Sequence, residues 1–243
     1  MGKIFFISDA HLGVESLSKE TAKLEKLHKF FKIAATESDT LIILGDFFDF
    51  WFDYKTVCLT EYFEILCELR NLNSSGVEIL FFGGNHDWWA SEKGILGKDI
   101  GMKIYKEPTI LEFYNKKFFL GHGDGIAQSD WGYRVFLRPI LRNRISTFLF
   151  RLLPAEWARS IAKIVSSANK LYIKKVTPEF EKEYKDFAKN TISDGIEFVI
   201  LGHIHKPQIN IFSDGVYAHT GDFFEHFSYL VFDGANLELK TID

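Results

Sequence analysis

Five short apolar runs in this chain each stop at side chains that coordinate metals. The run "KIFFIS" (3–8) meets Asp9 and His11, and "TLIILG" (40–45) meets Asp46. "VEILFFG" (77–83) leads to Asn85 and His86, "KKFFLG" (116–121) to His122, and "FVILG" (198–202) to His203 and His205. Runs of this length, rich in Phe, Ile, Leu and Val and bounded by glycine, read as buried strands. The spacing between them predicts helices over 18–36, with Leu24, Leu27, Phe30, Phe31 and Ala34 on one face, and over 60–73. Four short antiparallel strands are expected in the C-terminal third, "PQINIF", "GVYAHTG", "SYLVFDG" and "NLELKTI". Strands alternating with helices predict an α/β sandwich whose functional loops follow the strand C-termini, where open α/β sheets bind their ligands. All five ligand-bearing turns are expected along one edge.

With 243 residues, 47% of them hydrophobic, the chain is long enough for one substantial core with an insertion. A net charge of −4 does not recommend nucleic acid as a partner. Cys58 and Cys67 form no disulfide framework and no metal-type pair, and read as reduced thiols. The apolar run before Asp9 is too short for a secretory signal, and no stretch approaches a bilayer span. The expectation is a cytoplasmic protein, soluble or peripheral.

The donors converging after these strands are imidazoles, carboxylates and one amide, with no thiolate. They are too many for a single tetrahedral zinc and suit two cations sharing a carboxylate, with Mn²⁺ expected first and Fe²⁺ or Zn²⁺ fitting the same donors. A lone DxH or HxH is weak evidence for a metal; recurrence after five buried strands makes it strong. His28 and His226 lie outside the pattern and His219 at its margin. Asp49 and Asp87 read as residues that orient their own turns.

Taken in order, "DAHLG", "GDFFDF", "GNHD", "GHGD" and "GHIH" resemble the motif series of the calcineurin-like metallophosphoesterases over residues 4–206. The resemblance implies a metallophosphoesterase-type α/β sandwich of two sheets flanked by helices. By position it implies Asp9, His11, Asp46 and His205 around one metal, and Asp46 as the bridge with Asn85, His122 and His203 around the other. His86 falls on the family's catalytic histidine, which donates to the transition state or leaving group.

Residues 131–176 carry ten Lys or Arg against one acid, Glu156, so the segment is +9 and the remainder −13. Its large apolar residues form short amphipathic helices with basic borders. The expected organisation is a core from 1–130 and 192–243, with 131–191 as an inserted helical cap that admits an anionic head with an apolar tail and rests on an anionic membrane. The plainer alternative is a solvated cover for the sheet. "GHGDGIAQSDWGYRVF" and the later "GVYAHTGDFFEHFSYLVFDG" are similar to the UDP-2,3-diacylglucosamine hydrolases of lipid A biosynthesis. That resemblance implies a nucleotide-linked glycolipid substrate, split into UMP and 2,3-diacylglucosamine 1-phosphate at the inner membrane's cytoplasmic face. It also implies substrate contacts from Asp130, Asn169 and Lys170. One departure is His86, where many lipid A hydrolases have arginine. The alternatives are an enzyme for another small phosphodiester or cyclic nucleotide, and a non-catalytic scaffold of the same fold. No GxxxxGK occurs, and "GHGDGI" fails GxGxxG at Ile126.

Overall fold

The computed structural model describes residues 2–54, 57–161 and 177–243. Strands β1 (Lys3–Ile7), β2 (Ser38–Ile43), β3 (Glu78–Phe82) and β4 (Lys103–Tyr105) run parallel. Helices α1 (Leu17–Glu37) and α2 (Phe63–Ser74) make the first two crossovers. A second sheet is built on β5 (Thr109–Phe113), β6 (Lys116–Gly121), β7 (Phe198–Leu201), β8 (Gln208–Ile211) and β9 (Val216–His219), in the order β5-β6-β7-β9-β8. The chain returns to the first sheet through β10 (Ser228–Phe232) and β11 (Leu237–Thr241), giving the order β11-β10-β1-β2-β3-β4.

Strand periodicity explains why these segments carry no polar face. Ile4, Phe6, Ile42, Leu44, Leu80 and Phe82 project from the first sheet onto Phe118, Leu120, Phe198 and Ile200 of the second. The alternate residues Phe5, Ile7, Leu41, Ile43, Ile79 and Phe81 project outward onto Leu27, Phe30 and Phe31 of α1 and Leu66 and Leu69 of α2. Both faces are buried, so both must be apolar. Phe6, with no exposed surface, illustrates the energetics: truncation to alanine here costs about 3–5 kcal/mol, transfer and cavity together.

Two sequence expectations change. The ligand-bearing turns belong to two sheets, β1, β2 and β3 in one and β6 and β7 in the other, and face one another across the sandwich end. Strand β9 pairs parallel to β7, whereas β8, β10 and β11 are antiparallel to their neighbours as expected. Local sequence shows a strand but not its direction of pairing, which depends on the path of the connection.

The inserted segment opens with a helical turn, Tyr133–Leu137, that runs into α3 (Arg138–Arg142) and α4 (Arg144–Arg151). Asn143 caps α4 by accepting from the Ile145 amide at 2.7 Å. Residues 155–161 are helical as well. Helix α5 (Pro178–Ser193) starts on a Thr177 cap with Pro in its first turn. Its buried Tyr184, Ala188 and Ile192 pack with Val199, Leu201 and Tyr217 of the second sheet. This helix lies within the segment 131–191 and packs on the outer face of the second sheet.

Candidate metal centre

The turns after β1, β2 and β7 hold their ligands in an unusual backbone conformation. Asp9 (φ 52°), His11 (42°), Asp46 (50°), His203 (84°) and His205 (53°) are all left-handed. Each costs about 1–2 kcal/mol for a residue with a Cβ, and such outliers concentrate at sites that position groups. Interlocking hydrogen bonds hold them there: the Asp9 amide donates to Gly45 O (3.0 Å), the His11 amide to Asp46 O (3.0 Å) and the His203 amide to Asp9 Oδ2 (2.9 Å). Asp87 braces the β2 turn, its carboxylate accepting from the amides of Asp46, Phe47, Phe48 and Gly84 at 2.8–3.3 Å. Gly84 is required by close approach, since a Cβ there would lie 2.2 Å from Asp46 Oδ1.

The side chains form three overlapping groups of potential donors: Asp9, His11 and His205; His11, Asp46 and His86; and Asp46, His122 and His203. Asp46 Oδ2 sits between them, 3.2 Å from His122 Nε2, 3.8 Å from His11 Nε2 and 3.9 Å from His86 Nε2. Its other oxygen accepts from the His86 amide at 2.9 Å. Asn85 Oδ1 is 3.2 Å from His122 Nε2.

Hydrogen bonding alone does not satisfy this arrangement. His122 Nδ1 lies 2.8 Å from Leu44 O, which assigns its proton there. Nε2 then turns a lone pair toward Asp46 Oδ2, Asn85 Oδ1 and, at 3.1 Å, His203 Nδ1. Likewise His11 Nε2 faces His205 Nε2 at 3.4 Å, and buried Asp9 Oδ1 has no hydrogen-bond partner among the described residues, with His205 Nε2 3.1 Å away. Lone pairs converging from both sheets fit divalent cations. Burial opposes the charge on His122, but Asp46, Asp9 and Asp124 raise its pKa to about 10. Burial, reinforced by His122, lowers His203 to about 4, so the pair shares one charge.

His86 is oriented by Nδ1 donating to Asp49 O at 2.7 Å, which aims Nε2 at the Asp46 cluster. Burial lowers its pKa, and Asp46 and Asp49 outweigh that to leave it raised. His86, Asn85 and Asp49 also line an apolar pocket. Its walls are Phe50 and Trp89 from the core and Leu137, Ile140, Leu141 and Phe150 from the cap.

Some positions were not legible as site residues. Asp124, the last residue of "GHGD", accepts from Arg142 Nη2 (2.6 Å) and Tyr133 OH (2.7 Å), with Arg138 Nε at 3.4 Å. It ties the cap to the turn that carries His122; an acid two residues from a ligand was the available signal. Ser8 and Thr220 brace Asp9: the Ser8 hydroxyl donates to Asp9 Oδ2 and lies 2.6 Å from Thr220 Oγ1. Asp130 stands at the start of the cap, its carbonyl accepting from the Arg134 amide at 3.1 Å, and does not line the apolar pocket. Asn169 and Lys170 lie outside the described residues. His28 pairs with Glu68 on the surface and His226 with Asp222; buried His219 is lowered to about 3 by its burial.

Two facing sheets that present such a donor cluster at their strand ends define a metal-dependent phosphoesterase by architecture and chemistry. The chain belongs to the calcineurin-like phosphoesterase family, whose profile matches residues 2–207. It is similar to the UDP-2,3-diacylglucosamine hydrolase of Porphyromonas gingivalis, with 28% identity over 99% of this chain and 98% of that protein. It also resembles the UDP-2,3-diacylglucosamine hydrolase of Pseudomonas fluorescens SBW25, with 31% identity over 85% of this chain and 80% of that one. Among solved structures, an archaeal phosphodiesterase shares the fold, at a TM-score of 0.53 and 18% identity over 99% of both chains.

Proposed function

We propose that this chain hydrolyses the pyrophosphate of UDP-2,3-diacylglucosamine to UMP and 2,3-diacylglucosamine 1-phosphate. The observation that carries the reading is the apolar pocket opening directly onto Asn85 and His86: phosphates on the histidine–aspartate cluster bring an attached acyl chain to its mouth. The names of the curated relatives support the same substrate.

Two divalent cations, Mn²⁺ in the first instance, would be held by Asp9, His11, Asp46 and His205 and by Asp46, Asn85, His122 and His203. When bound they supply the Lewis acidity that activates water and neutralises phosphoryl charge. The chain's own residues do the rest. Protonated His86, fixed by Asp49 O, donates from Nε2 to the leaving oxygen. Asp130, the last residue before the cap, adds a polar contact, and Asn169 and Lys170 complete the set.

The cap, beginning at residue 131, also fits an anionic membrane surface. Trp131, Phe136, Ile145, Phe148, Leu149, Leu152 and Trp157 are exposed on it, beside Arg134, Arg144 and Arg151. No helix among the described residues is long and apolar enough to cross a membrane. The contact we propose is peripheral, at the inner membrane's cytoplasmic face. Phosphorus NMR with the lipid nucleotide in Mn²⁺, against an EDTA control, tests the reading. Metal-dependent UMP and sugar 1-phosphate support it; inertness beside turnover of bis(p-nitrophenyl) phosphate transfers the site to another phosphodiester.

A further inference from the structure

We infer that the turn 222–227 is a nucleobase platform, with Phe224 as the surface on which the base of the substrate's nucleotide stacks. The inference rests on the nucleotide substrate proposed above and adds the place of its base.

This turn is built more firmly than a surface connection between β9 and β10 requires. Asp222 is 1% exposed, and its Oδ1 accepts from the amides of Phe224 (3.0 Å), Glu225 (2.6 Å) and His226 (3.0 Å). Its Oδ2 pairs with His226 Nδ1. The turn closes on Phe227, a bulky residue at φ 49°, a conformation that persists only where the surroundings over-determine it. Here they do: Phe227 O accepts from the Ile242 amide at 3.0 Å, and its ring packs against Phe223 and under Lys26 Nζ.

What the locked turn holds out is one ring. Phe224 is half-buried and meets His11 and His205 edge-on, with centroids 5.9 and 5.2 Å apart. On the other side of the cluster, His11 packs against His86 at 4.8 Å, and His86 lines the apolar pocket, whose lining does not include Phe224. The rings therefore form a path from the pocket through His86 and His11 to Phe224. In a substrate with its acylated sugar toward the pocket and its phosphates on the cluster, the nucleoside lies at the end away from the pocket, and the path leads it to Phe224. An aromatic face recognises a base by stacking and tolerates its identity.

Isothermal titration calorimetry on Mn²⁺-saturated protein tests this with two phosphates that differ only in the base, UMP and ribose 5-phosphate. Wild type is expected to bind UMP more tightly by about fivefold or more, the worth of one stacked base. Phe224→Ala brings the ratio to about one, and Phe224→Trp keeps it. Circular dichroism and Mn²⁺ affinity like wild type's show that the Ala variant is folded and loaded. Equal binding of the two ligands by wild type, no binding of UMP, or a ratio that survives in Phe224→Ala overturns the platform. Neither ligand carries lipid, so this result is separate from lipid nucleotide hydrolysis: loss of that reaction removes the functional reading, and loss of the UMP preference removes only the platform.

Discussion

Replacing Asp124 with alanine separates the cap's contribution from the metal centre's. One carboxylate oxygen takes Arg142 Nη2 at 2.6 Å and Tyr133 OH at 2.7 Å, from two successive elements of the cap. The side chains of Asp124 and Arg142 are only 5% and 10% exposed, so water does not replace the lost partner. Removing one member of such a covered pair costs about 3–5 kcal/mol. Arg142 keeps Glu107 at 3.2 Å, but that carboxylate is 57% exposed and screened, so the lower figure applies. About 3 kcal/mol corresponds to roughly 150-fold in an equilibrium constant. Tyr133, Leu137, Ile140 and Leu141 all line the apolar pocket, so releasing this end of the cap opens its wall. The expected result is a KM for the diacyl substrate raised on the order of 100-fold, with bis(p-nitrophenyl) phosphate kinetics within about threefold of wild type. Steady-state kinetics on both substrates, with Mn²⁺ affinity as the control for nearby His122, provide the measurement. An equal loss on both substrates, or none on either, refutes the idea that Asp124 acts through the cap.

Asp46→Ala and His122→Ala should each reduce turnover well beyond the about 10–100-fold typical of outer-shell residues while far-UV circular dichroism stays native; full activity in either removes the two-metal mechanism. For EDTA-stripped protein, a folded pKa of about 10 for His122 means its stabilisation is complete below the unfolded value of about 6.5 and is lost as pH rises through 10. Metal-loaded protein should show the opposite trend over that range in thermal melts, because a cation needs the unprotonated ring. Lys23 is 2% exposed and donates to His11 O at 3.1 Å and Glu20 Oε2 at 3.3 Å, so Lys23→Met should lower stability by about 1–3 kcal/mol in urea titrations. Substituting Arg134, Arg144 and Arg151 together by glutamine should weaken partitioning onto anionic vesicles on the order of 100-fold in sedimentation assays; unchanged partitioning removes the membrane contact.

The strands and ligand turns were legible because their signals are local. A fully buried strand needs an apolar run, a sharp turn needs glycine, and the donors follow immediately, so Asp9, His11, Asp46, Asn85, His122, His203 and His205 stand out in one dimension. Asp87 was legible only as a brace of its own turn, through Gly84; its bonds to the amides of Asp46, Phe47 and Phe48 cross to the β2 turn, about 40 residues away. The role of Asp124 was not legible, since its partners Tyr133 and Arg142 lie 9 and 18 residues away, on the cap.

The sequence by itself determined the chemistry: the donor types, their order, the glycine-flanked turns, and a cap that is basic and apolar at once. Tertiary structure decided what depends on distance between remote segments. It divided the ligands between two facing sheets, made β9 parallel to β7, packed α5 against the second sheet, and set Phe224 beside His11 and His205. It also placed His86 between the donor cluster and an apolar pocket. Residue type fixes what a group can bind; which groups share a lone-pair cluster is set by packing across the sandwich, where burial of both sheet faces leaves the strand ends only one way to meet.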